Sequence, residues 1–244
     1  MAPHTYPLSA TVYIISDVHL VSDCDVIMDK MIDWLNQYGS TADAIYIIGD
    51  LFDYWIGDRC IQRYPLFFKA LFEQTRRCPI YFMPGNRDFL LSKSLLSQYG
   101  VVKIADPTTI QHGTQNYLLT HGDLLCSDDI AYQWLRFFLQ NRITIALFNF
   151  LPYVIKRYIT ESLRSQSRQI TLSKSALTMS ANEATTLALA NKYQVSNLIH
   201  GHVHCLEQKK IDASDSTQVF VLDSWEHQVN HCVISSQGIK LTSN

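Results

Sequence analysis

The chain has 244 residues, of which 47% are hydrophobic and 17% are charged, and its formal net charge is −2. This length fits one domain, or one domain with a helical insertion, and allows a sizeable core. No apolar run reaches the roughly 20 residues of a membrane-spanning helix, and the N-terminus lacks the basic start and apolar stretch of a secretory signal. These features argue against a membrane-spanning or secreted protein, and we expect a single cytoplasmic domain over residues 1–244.

The six cysteines are scattered along the chain and form no Cys-x-x-Cys pair. This spacing excludes a thiolate zinc site of the usual kind. We expect the cysteines to be reduced, buried small residues. They are Cys24, Cys60, Cys78, Cys126, Cys205 and Cys232.

Charge is unevenly distributed along the chain. Residues 130–180 contain seven Lys or Arg and a single acid, Glu161, so their net charge is +6 and the rest of the chain carries −8. A basic, aromatic-rich segment on an acidic protein favours an anionic or membrane-associated ligand. Composition is equally consistent with a helical hairpin whose cationic face is only solvated.

The first third of the chain repeats a strand, a loop with Asp or Asn, and a helix. The predicted strands are Thr11–Ser16, Ile45–Ile48 and Ile80–Met83, and the predicted helices are Asp23–Tyr38 and Arg63–Arg76. The first helix has an apolar face formed by Val26, Ile27, Met31, Trp34 and Leu35. This alternation predicts an α/β protein in which ligand groups gather at the carboxyl ends of the strands.

The second part of the chain changes to shorter elements. Short strands are predicted at Val101–Ile104, Thr108–Gln111, Tyr117–Thr120 and Asn197–Ile199. A helical section over about residues 129–193, interrupted at residues 162–175, separates the last two of these strands. Three final strands, Val219–Leu222, His231–Ser235 and Gly238–Thr242, are predicted to pair as an antiparallel set.

Five loops with polar side chains directly follow apolar strands. They are Asp17-x-His19, Gly49-Asp50, Gly85-Asn86, His121-Gly122 and Gly201-His202-x-His204. One histidine after a strand is usually structural, but five such loops predict a shared site. In an extended segment, alternation aims both side chains of an Asp-x-His or His-x-His pair the same way, so each pair is expected to hold one ion.

The residue types in these loops indicate the chemistry. Carboxylate, imidazole and amide ligands without thiolate suit manganese, iron or zinc better than calcium. Two such ions, about 3.5 to 4 Å apart, can polarise a phosphoryl group. The predicted reaction is metal-assisted hydrolysis of a phosphate bond.

The five loops together resemble those of the calcineurin-like metallophosphoesterases. The resemblance implies a four-layer α/β/β/α sandwich of two sheets with a helical lid insertion at about residues 129–193. It also implies two metal sites that share Asp50. One site is implied to contain Asp17, His19, Asp50 and His204, and the other Asp50, Asn86, His121 and His202.

The third loop departs from the family pattern. Most members have Gly-Asn-His-Asp, in which the histidine can protonate an alkoxide, whereas this chain has Arg87. An arginine stays protonated and is a poor acid, but it neutralises phosphoryl charge. A phosphate leaving group has low proton affinity and needs no general acid. The predicted substrate bond is therefore a phosphoanhydride.

Longer motifs narrow the resemblance within the family. GDLFDYWIGD (49–58), GNRDFLL (85–91), HGDLLCSDD (121–129) and RSQSRQITLSKS (164–175) are similar to motifs of the lipid A pathway pyrophosphatases. This implies UDP-2,3-diacylglucosamine as substrate, UMP and a lipid 1-phosphate as products, Mn²⁺ as cofactor, and a peripheral location on the cytoplasmic face of an inner membrane. No nucleic acid and no obligate protein partner are inferred.

The same resemblance implies roles for individual residues. Catalysis is assigned to Asp50, Asn86, Arg87 and His121. Substrate contacts are assigned to Asn86, Arg87, Asp129, Ser167, Thr171, Lys174 and His202. Thr171 departs from the pattern, since relatives more often have Asn there. His200 is left out because it lies at a strand end, where we expect it to be buried.

The aromatic residues of the helical section allow two interpretations. They are Trp134, Phe137, Phe138, Phe148, Phe150 and Tyr153. Together with the nearby cations they can form an apolar groove for acyl chains, or they can pack the lid onto the sandwich.

Two other functions were weighed against the pyrophosphatase. A phosphoesterase acting on another nucleotide, a phosphodiester or nucleic acid is disfavoured because the positive charge lies on an apolar lid and not along a groove with stacking aromatics. A non-catalytic metal-bound scaffold predicts gaps among the ligands, and the sequence shows none.

Overall fold

The computed structural model describes residues 4–23, 25–162, 180–211 and 217–243. The strands are β1 (His4–Tyr6), β2 (Val12–Ile15), β3 (Ala44–Ile48), β4 (Ile80–Met83), β5 (Val101–Lys103), β6 (Thr108–His112), β7 (Gln115–Leu119), β8 (Asn197–His200), β9 (Glu207–Lys210), β10 (Gln218–Val221), β11 (Asn230–Ser235) and β12 (Gly238–Ser243). The helices are α1 (Val26–Tyr38), α2 (Pro65–Thr75), α3 (Lys93–Gln98), α4 (Ile130–Leu139), α5 (Arg142–Phe150) and α6 (Glu183–Tyr193). Residues 153–162 are also helical.

The strands form two six-stranded sheets. One has the order β12-β11-β2-β3-β4-β5, and the other has the order β1-β6-β7-β8-β10-β9. In the first sheet β2 to β5 are parallel, and in the second β7, β8 and β10 are parallel. The carboxyl ends of β2, β3 and β4 therefore lie at one edge of the first sheet, as those of β7 and β8 do in the second.

Alternation along the buried strands places apolar residues on both faces of each sheet. On β3, Tyr46 and Ile48 face the core between the sheets, whereas Ile45 and Ile47 face a second core under α1 and α2. A third core lies between the outer face of the other sheet and Ala190 of α6. These layers form the predicted α/β/β/α sandwich, and the fold class is confirmed.

Helix α1 begins one residue after Asp25, whose side chain accepts a hydrogen bond of 3.1 Å from the Ile27 amide. Its buried residues are Met28, Met31, Trp34 and Leu35. The predicted apolar face was wrong at Val26, which is 68% exposed. With 3.6 residues per turn, Val26 lies on the side of the helix opposite Met28 and Leu35.

The predicted antiparallel set of three strands was wrong for its first member. Strand β10 pairs parallel with β8 and antiparallel with β9 in the second sheet, while β11 and β12 pair in the first sheet. The chain changes sheets after β10, and the apolar residues on both sides of the crossing, Leu222 and Cys232, are buried in the core between the sheets. Edge strands β1 and β9 were not predicted, because HTY and EQKK lack a clear apolar alternation.

Four of the cysteines are reduced and buried as expected, namely Cys60, Cys78, Cys126 and Cys232. Cys205 is an exception, because it is exposed in the loop between β8 and β9. Cys24 lies outside the described residues.

The described helices of the predicted insertion differ in their contacts. Helix α6 buries Thr186 and Ala190 against the sandwich. Helix α4 instead leaves Trp134, Phe137 and Phe138 between 57% and 61% exposed. Tyr153 packs against the core of the first sheet, as the packing interpretation predicts for this residue. The apolar groove for acyl chains stays a prediction. Among the described residues, no helix has the length and apolar character to cross a bilayer.

Candidate metal centre

The five polar loops converge where the ends of the two sheets meet. The structure groups potential ligand atoms into two sets, Asp17 with His19 and His204, and Asp50 with His121 and His202. Within each set these atoms lie within 4.8 Å of one another. Each set combines residues from loops of both sheets, so the site depends on how the two sheets pack together.

The carboxylate of Asp50 lies between the two sets. Its Oδ2 is 3.7 Å from His19 Nε2, and its Oδ1 is 3.6 Å from His121 Nε2. The Arg87 amide donates a 2.9 Å hydrogen bond to Oδ1. Asn86 joins the second set, since its Oδ1 lies 2.9 Å from His121 Nε2. The position of Asp50 thus allows one carboxylate to serve both sets.

Alternation was the wrong explanation for how the loops aim their side chains. Asp17, His19, Asp50, His202 and His204 have φ between 50° and 69°, which is left-handed and not extended backbone. His202 and His204 belong to different sets, whereas Asp17 and His19 share one. Such conformations cost about 1–3 kcal/mol each in non-glycine residues and cluster at functional sites.

Two glycines permit the close approach of the loops. A Cβ atom on Gly201 would lie 2.0 Å from Asp17 Oδ2, and one on Gly85 would lie 2.2 Å from Asp50 Oδ1. Both distances are far below van der Waals contact, so only glycine fits at these positions. The backbone at Gly201 and Gly85 therefore packs directly against the carboxylates of Asp17 and Asp50.

The residues present fit divalent metal ions. Asp17 Oδ1 and His19 Nε2 are buried and have no hydrogen-bond partner within the described part of the chain. Leaving such atoms unpaired is costly unless a ligand satisfies them. The donors are carboxylate oxygens, imidazole nitrogens and the Asn86 amide, a set that suits divalent transition metals.

Charge reinforces the selectivity for cations. Burial raises the pKa of Asp17, but the nearby imidazoles of His204 and His121 outweigh burial and lower it to about 2. Burial and, to a smaller extent, the neighbouring His121 together lower the pKa of His202 to about 4. At neutral pH Asp17 is thus ionised and His202 is unprotonated, the forms that bind metals. Burial opposes a proton on His121, but the carboxylates of Asp50 and Asp17 outweigh burial and raise its pKa to about 9, so a metal ion bound there displaces a proton.

Residues behind the ligands orient them, and no role for these residues was predicted from the sequence. His121 Nδ1 lies 3.1 Å from the Ile48 carbonyl, to which it can donate while Nε2 faces Asp50. His19 Nδ1 lies 3.4 Å from Glu226 Oε1. Asp88 is fully buried and accepts hydrogen bonds from the amides of Leu51 and Gly85 at 2.8 Å each. The only sequence signal was the GNRD motif, which contains Asp88.

Arg87 lies at the open side of the site. Its Nη1 donates to Asp53 Oδ1 at 2.8 Å, and its Nε lies 3.4 Å from Asp50 Oδ2. Its side chain is 34% exposed. The guanidinium is thus fixed beside the metal ligands while part of it faces solvent.

Of the remaining residues considered for the site, the structure describes Asp129 and His200. The Asp129 carboxylate accepts a 3.1 Å hydrogen bond from the Tyr132 amide and caps α4. His200 is buried as expected, with Nδ1 2.8 Å from the Gly201 carbonyl oxygen. Ser167, Thr171 and Lys174 lie outside the described residues.

An apolar cleft opens along α4. It has a volume of about 360 Å³ and is lined by Ser127, Ile130, Gln133, Trp134 and Phe137. The ring of Tyr132, on the same helix, lies 5.9 Å from the ring of His202. The helix that lines the apolar cleft therefore also borders the metal ligands.

Known proteins match this chain over most of its length. A UDP-2,3-diacylglucosamine hydrolase of Haemophilus ducreyi is 37% identical over 198 residues, which cover 80% of this chain and 84% of that protein. One of the same name from Vibrio cholerae is 33% identical and covers 91% of this chain and 94% of its own.

A solved structure supports the fold alone. A mutant of a cold-active protein tyrosine phosphatase is 13% identical and superposes with a TM-score of 0.51, covering 100% of this chain and 82% of that chain. The family profile described as calcineurin-like phosphoesterase matches residues 10–206. That range contains both ligand sets and Arg87. The chain belongs to the calcineurin-like phosphoesterase family.

Proposed function

We propose that the protein hydrolyses the pyrophosphate bond of UDP-2,3-diacylglucosamine and releases UMP and 2,3-diacylglucosamine 1-phosphate (lipid X), a step of lipid A biosynthesis. The proposal is supported by the relatives from Haemophilus ducreyi and Vibrio cholerae, both named UDP-2,3-diacylglucosamine hydrolase. The single observation that carries it is the Arg87 guanidinium, held by Asp53 beside the shared carboxylate Asp50.

Two divalent metal ions, most simply Mn²⁺, supply Lewis-acid activation of the phosphoryl group when bound. Asp17, His19, Asp50 and His204 would hold one ion, and Asp50, Asn86, His121 and His202 the other. Their carboxylates also set the negative potential that concentrates cations at this edge. His121 keeps its orientation through the Ile48 carbonyl.

Arg87 accounts for the type of bond that is cleaved. Water adds to one phosphorus while the P–O–P bridge breaks, and the electron pair of that bond leaves on the oxygen of the other phosphate. Because this leaving group is a stable anion, it needs charge neutralisation more than a proton. A guanidinium can donate two hydrogen bonds to phosphate oxygens while remaining charged. Asn86, next to it in the chain, would orient the phosphoryl group.

The lid accounts for the lipid part of the substrate. The cleft on α4 and the exposed side chains of Trp134, Phe137, Phe138 and Phe150 offer apolar surface for acyl chains. Such a surface also favours peripheral contact with membrane lipid. We place the enzyme on the cytoplasmic face of the inner membrane, where it needs neither nucleic acid nor an obligate protein partner.

The direct test is product analysis. Purified protein with Mn²⁺ and UDP-2,3-diacylglucosamine should release UMP and the lipid 1-phosphate in equal amounts. Release of inorganic phosphate, or no product, would contradict the proposal. Bis(p-nitrophenyl) phosphate serves as a comparison substrate, and a strong preference for it would favour a general phosphodiesterase.

Metal analysis separates an enzyme from a non-catalytic scaffold. After loading with Mn²⁺ and removal of free metal, we expect about two ions per chain, as in two-metal hydrolases. A content below about one ion per chain would favour the scaffold.

A further inference from the structure

Helix α4 is held in place by polar contacts. None of its ten residues is buried, although it lines the apolar cleft and borders the metal ligands. Arg136 Nε donates to Asp123 Oδ2 at 2.6 Å, and the Tyr132 hydroxyl donates to the same oxygen at 3.2 Å. Gln133 Nε2 adds a 2.8 Å hydrogen bond to the Asp123 carbonyl. Three side chains of α4 thus converge on one residue.

Asp123 links these contacts to the metal edge, by which we mean the end of the two sheets that carries the ligand sets of Asp17 and Asp50. Asp123 lies two residues after His121 and is 1% exposed, and Arg136 is partly buried, with 19% of its side chain exposed. A buried carboxylate whose cation is removed is left with an uncompensated charge. The ion pair is therefore a strong restraint on α4, unlike an exposed surface pair.

We propose that Asp123 and Arg136 are positioning residues for the lipid half of the substrate. Their ion pair holds α4 so that Tyr132 stays beside His202 and the cleft of Ile130 and Trp134, on another face of the same helix, keeps a fixed position relative to the metal ligands. Neither residue touches the reacting atoms. They act through α4, which aligns the acyl chains with the bond to be cleaved. This proposal rests on the proposed function.

The kinetic test compares two arginines of the lid. Arg136→Ala breaks the pair with Asp123. Arg157→Ala is the matched control, because Arg157 is 58% exposed and pairs only with the exposed Glu161, 3.5 Å away on its own helix, among the ion pairs of the described residues. We expect Arg136→Ala to raise KM for the acylated substrate about tenfold, as for loss of a charged hydrogen bond. Both kcat and Mn²⁺ content should stay within about twofold of wild type.

Conservative variants sharpen the test. Arg136→Lys keeps the charge and should recover part of the increase in KM, while Tyr132→Phe should raise KM less than Arg136→Ala. An unchanged KM in Arg136→Ala, or an equal increase in Arg157→Ala, would overturn the proposal. So would a joint loss of kcat and metal, because the pair would then support the metal edge and not the lid.

Hydrogen exchange supplies a readout that needs no substrate. In Arg136→Ala, amides of α4 should exchange at least about fivefold faster, whereas those of α1 should not change. Equal protection of the α4 amides from exchange in wild type and Arg136→Ala would contradict the proposal that the ion pair restrains α4. Absence of UMP release by the wild-type protein would instead overturn the proposed function, and the exchange result would still decide whether the pair restrains α4.

Discussion

The guanidinium of Arg87 is held between two carboxylates. Its Nη1 donates to Asp53 Oδ1 at 2.8 Å, and its Nε lies 3.4 Å from Oδ2 of Asp50. Asp53 thus fixes one end of the guanidinium, and Asp50 lies between the two ligand sets. This arrangement holds a permanent positive charge beside the metal ligands, as the proposed role of Arg87 requires.

Replacing Arg87 should separate catalysis from metal binding. We expect Arg87→Ala to keep both Mn²⁺ ions but to lower kcat on the lipid substrate by at least about a hundredfold, the range seen when a charge-stabilising group is removed. Metal content and turnover are measured on the same preparation. Near-normal turnover in Arg87→Ala would show that the role assigned to the guanidinium is wrong.

Asp53 should act through Arg87. Asp53→Ala is expected to lower kcat about tenfold in the wild-type background and to have little further effect in Arg87→Ala, because residues that share one interaction are not additive. The double-mutant cycle is measured by steady-state UMP release. Additive losses would mean that Asp53 contributes independently of the arginine.

Replacing Asp50 should remove both activity and metal. Asp50→Ala deletes the carboxylate between His19 and His121, so we expect activity to disappear and Mn²⁺ content to fall to about one ion per chain or less. Elemental analysis after metal loading checks the content. Two retained ions would show that Asp50 does not bridge the sets.

Gly201 should tolerate no side chain. In Gly201→Ala the new Cβ would lie 2.0 Å from Asp17 Oδ2 and 2.2 Å from Ser16 Oγ, so we expect a loss of about 1–3 kcal/mol in unfolding free energy together with weaker metal binding. Gly238→Ala is the control. It meets nothing within 4 Å but has φ of +97°, so it should lose some stability through backbone strain while its metal affinity is unchanged. Equal metal affinity in both variants contradicts the expectation.

His231 should make stability depend on pH. Burial lowers its pKa from 6.5 to about 4, and its Nδ1 accepts a 3.2 Å hydrogen bond from Trp34 Nε1. Between these two pKa values the unfolded chain binds a proton that the folded chain excludes, so stability falls as pH decreases from about 6.5 to 4. The full loss is about 3 kcal/mol.

The matched variant is His231→Gln, which can still accept the hydrogen bond but does not titrate. Denaturant unfolding in EDTA at about pH 7 and 4.5 should show wild type losing roughly 2 kcal/mol more than the variant. Parallel losses would show that His231 is not responsible for the pH dependence.

The fold was largely predictable because its signals are local. The apolar runs that became β2, β3 and β4 are short and are followed within three residues by Asp or Asn, which is typical of buried parallel strands that lead into a site. The sheet to which β10 belongs was not predictable from its own residues, because a short apolar strand can pair in either sheet. Edge strands β1 and β9 lacked the pattern altogether.

The sequence by itself determined the chemistry of the site. Carboxylate, imidazole and amide side chains after five strands, with Arg87 where most family members have histidine, indicated metal-assisted cleavage of a phosphoanhydride. These are properties of residue type and order. They can be recognised without knowing how the chain packs.

The resemblance to the family already implied how the ligands are divided, but only the tertiary structure decided how they are held. The ligands of both Asp-x-His and His-x-His are held on left-handed backbone, and Glu226, far along the chain, lies 3.4 Å from His19. Asp123 joins the metal edge to α4 through Arg136. Spacing along the chain cannot encode these relationships, because they arise from turn conformation and from the packing of two sheets and a lid.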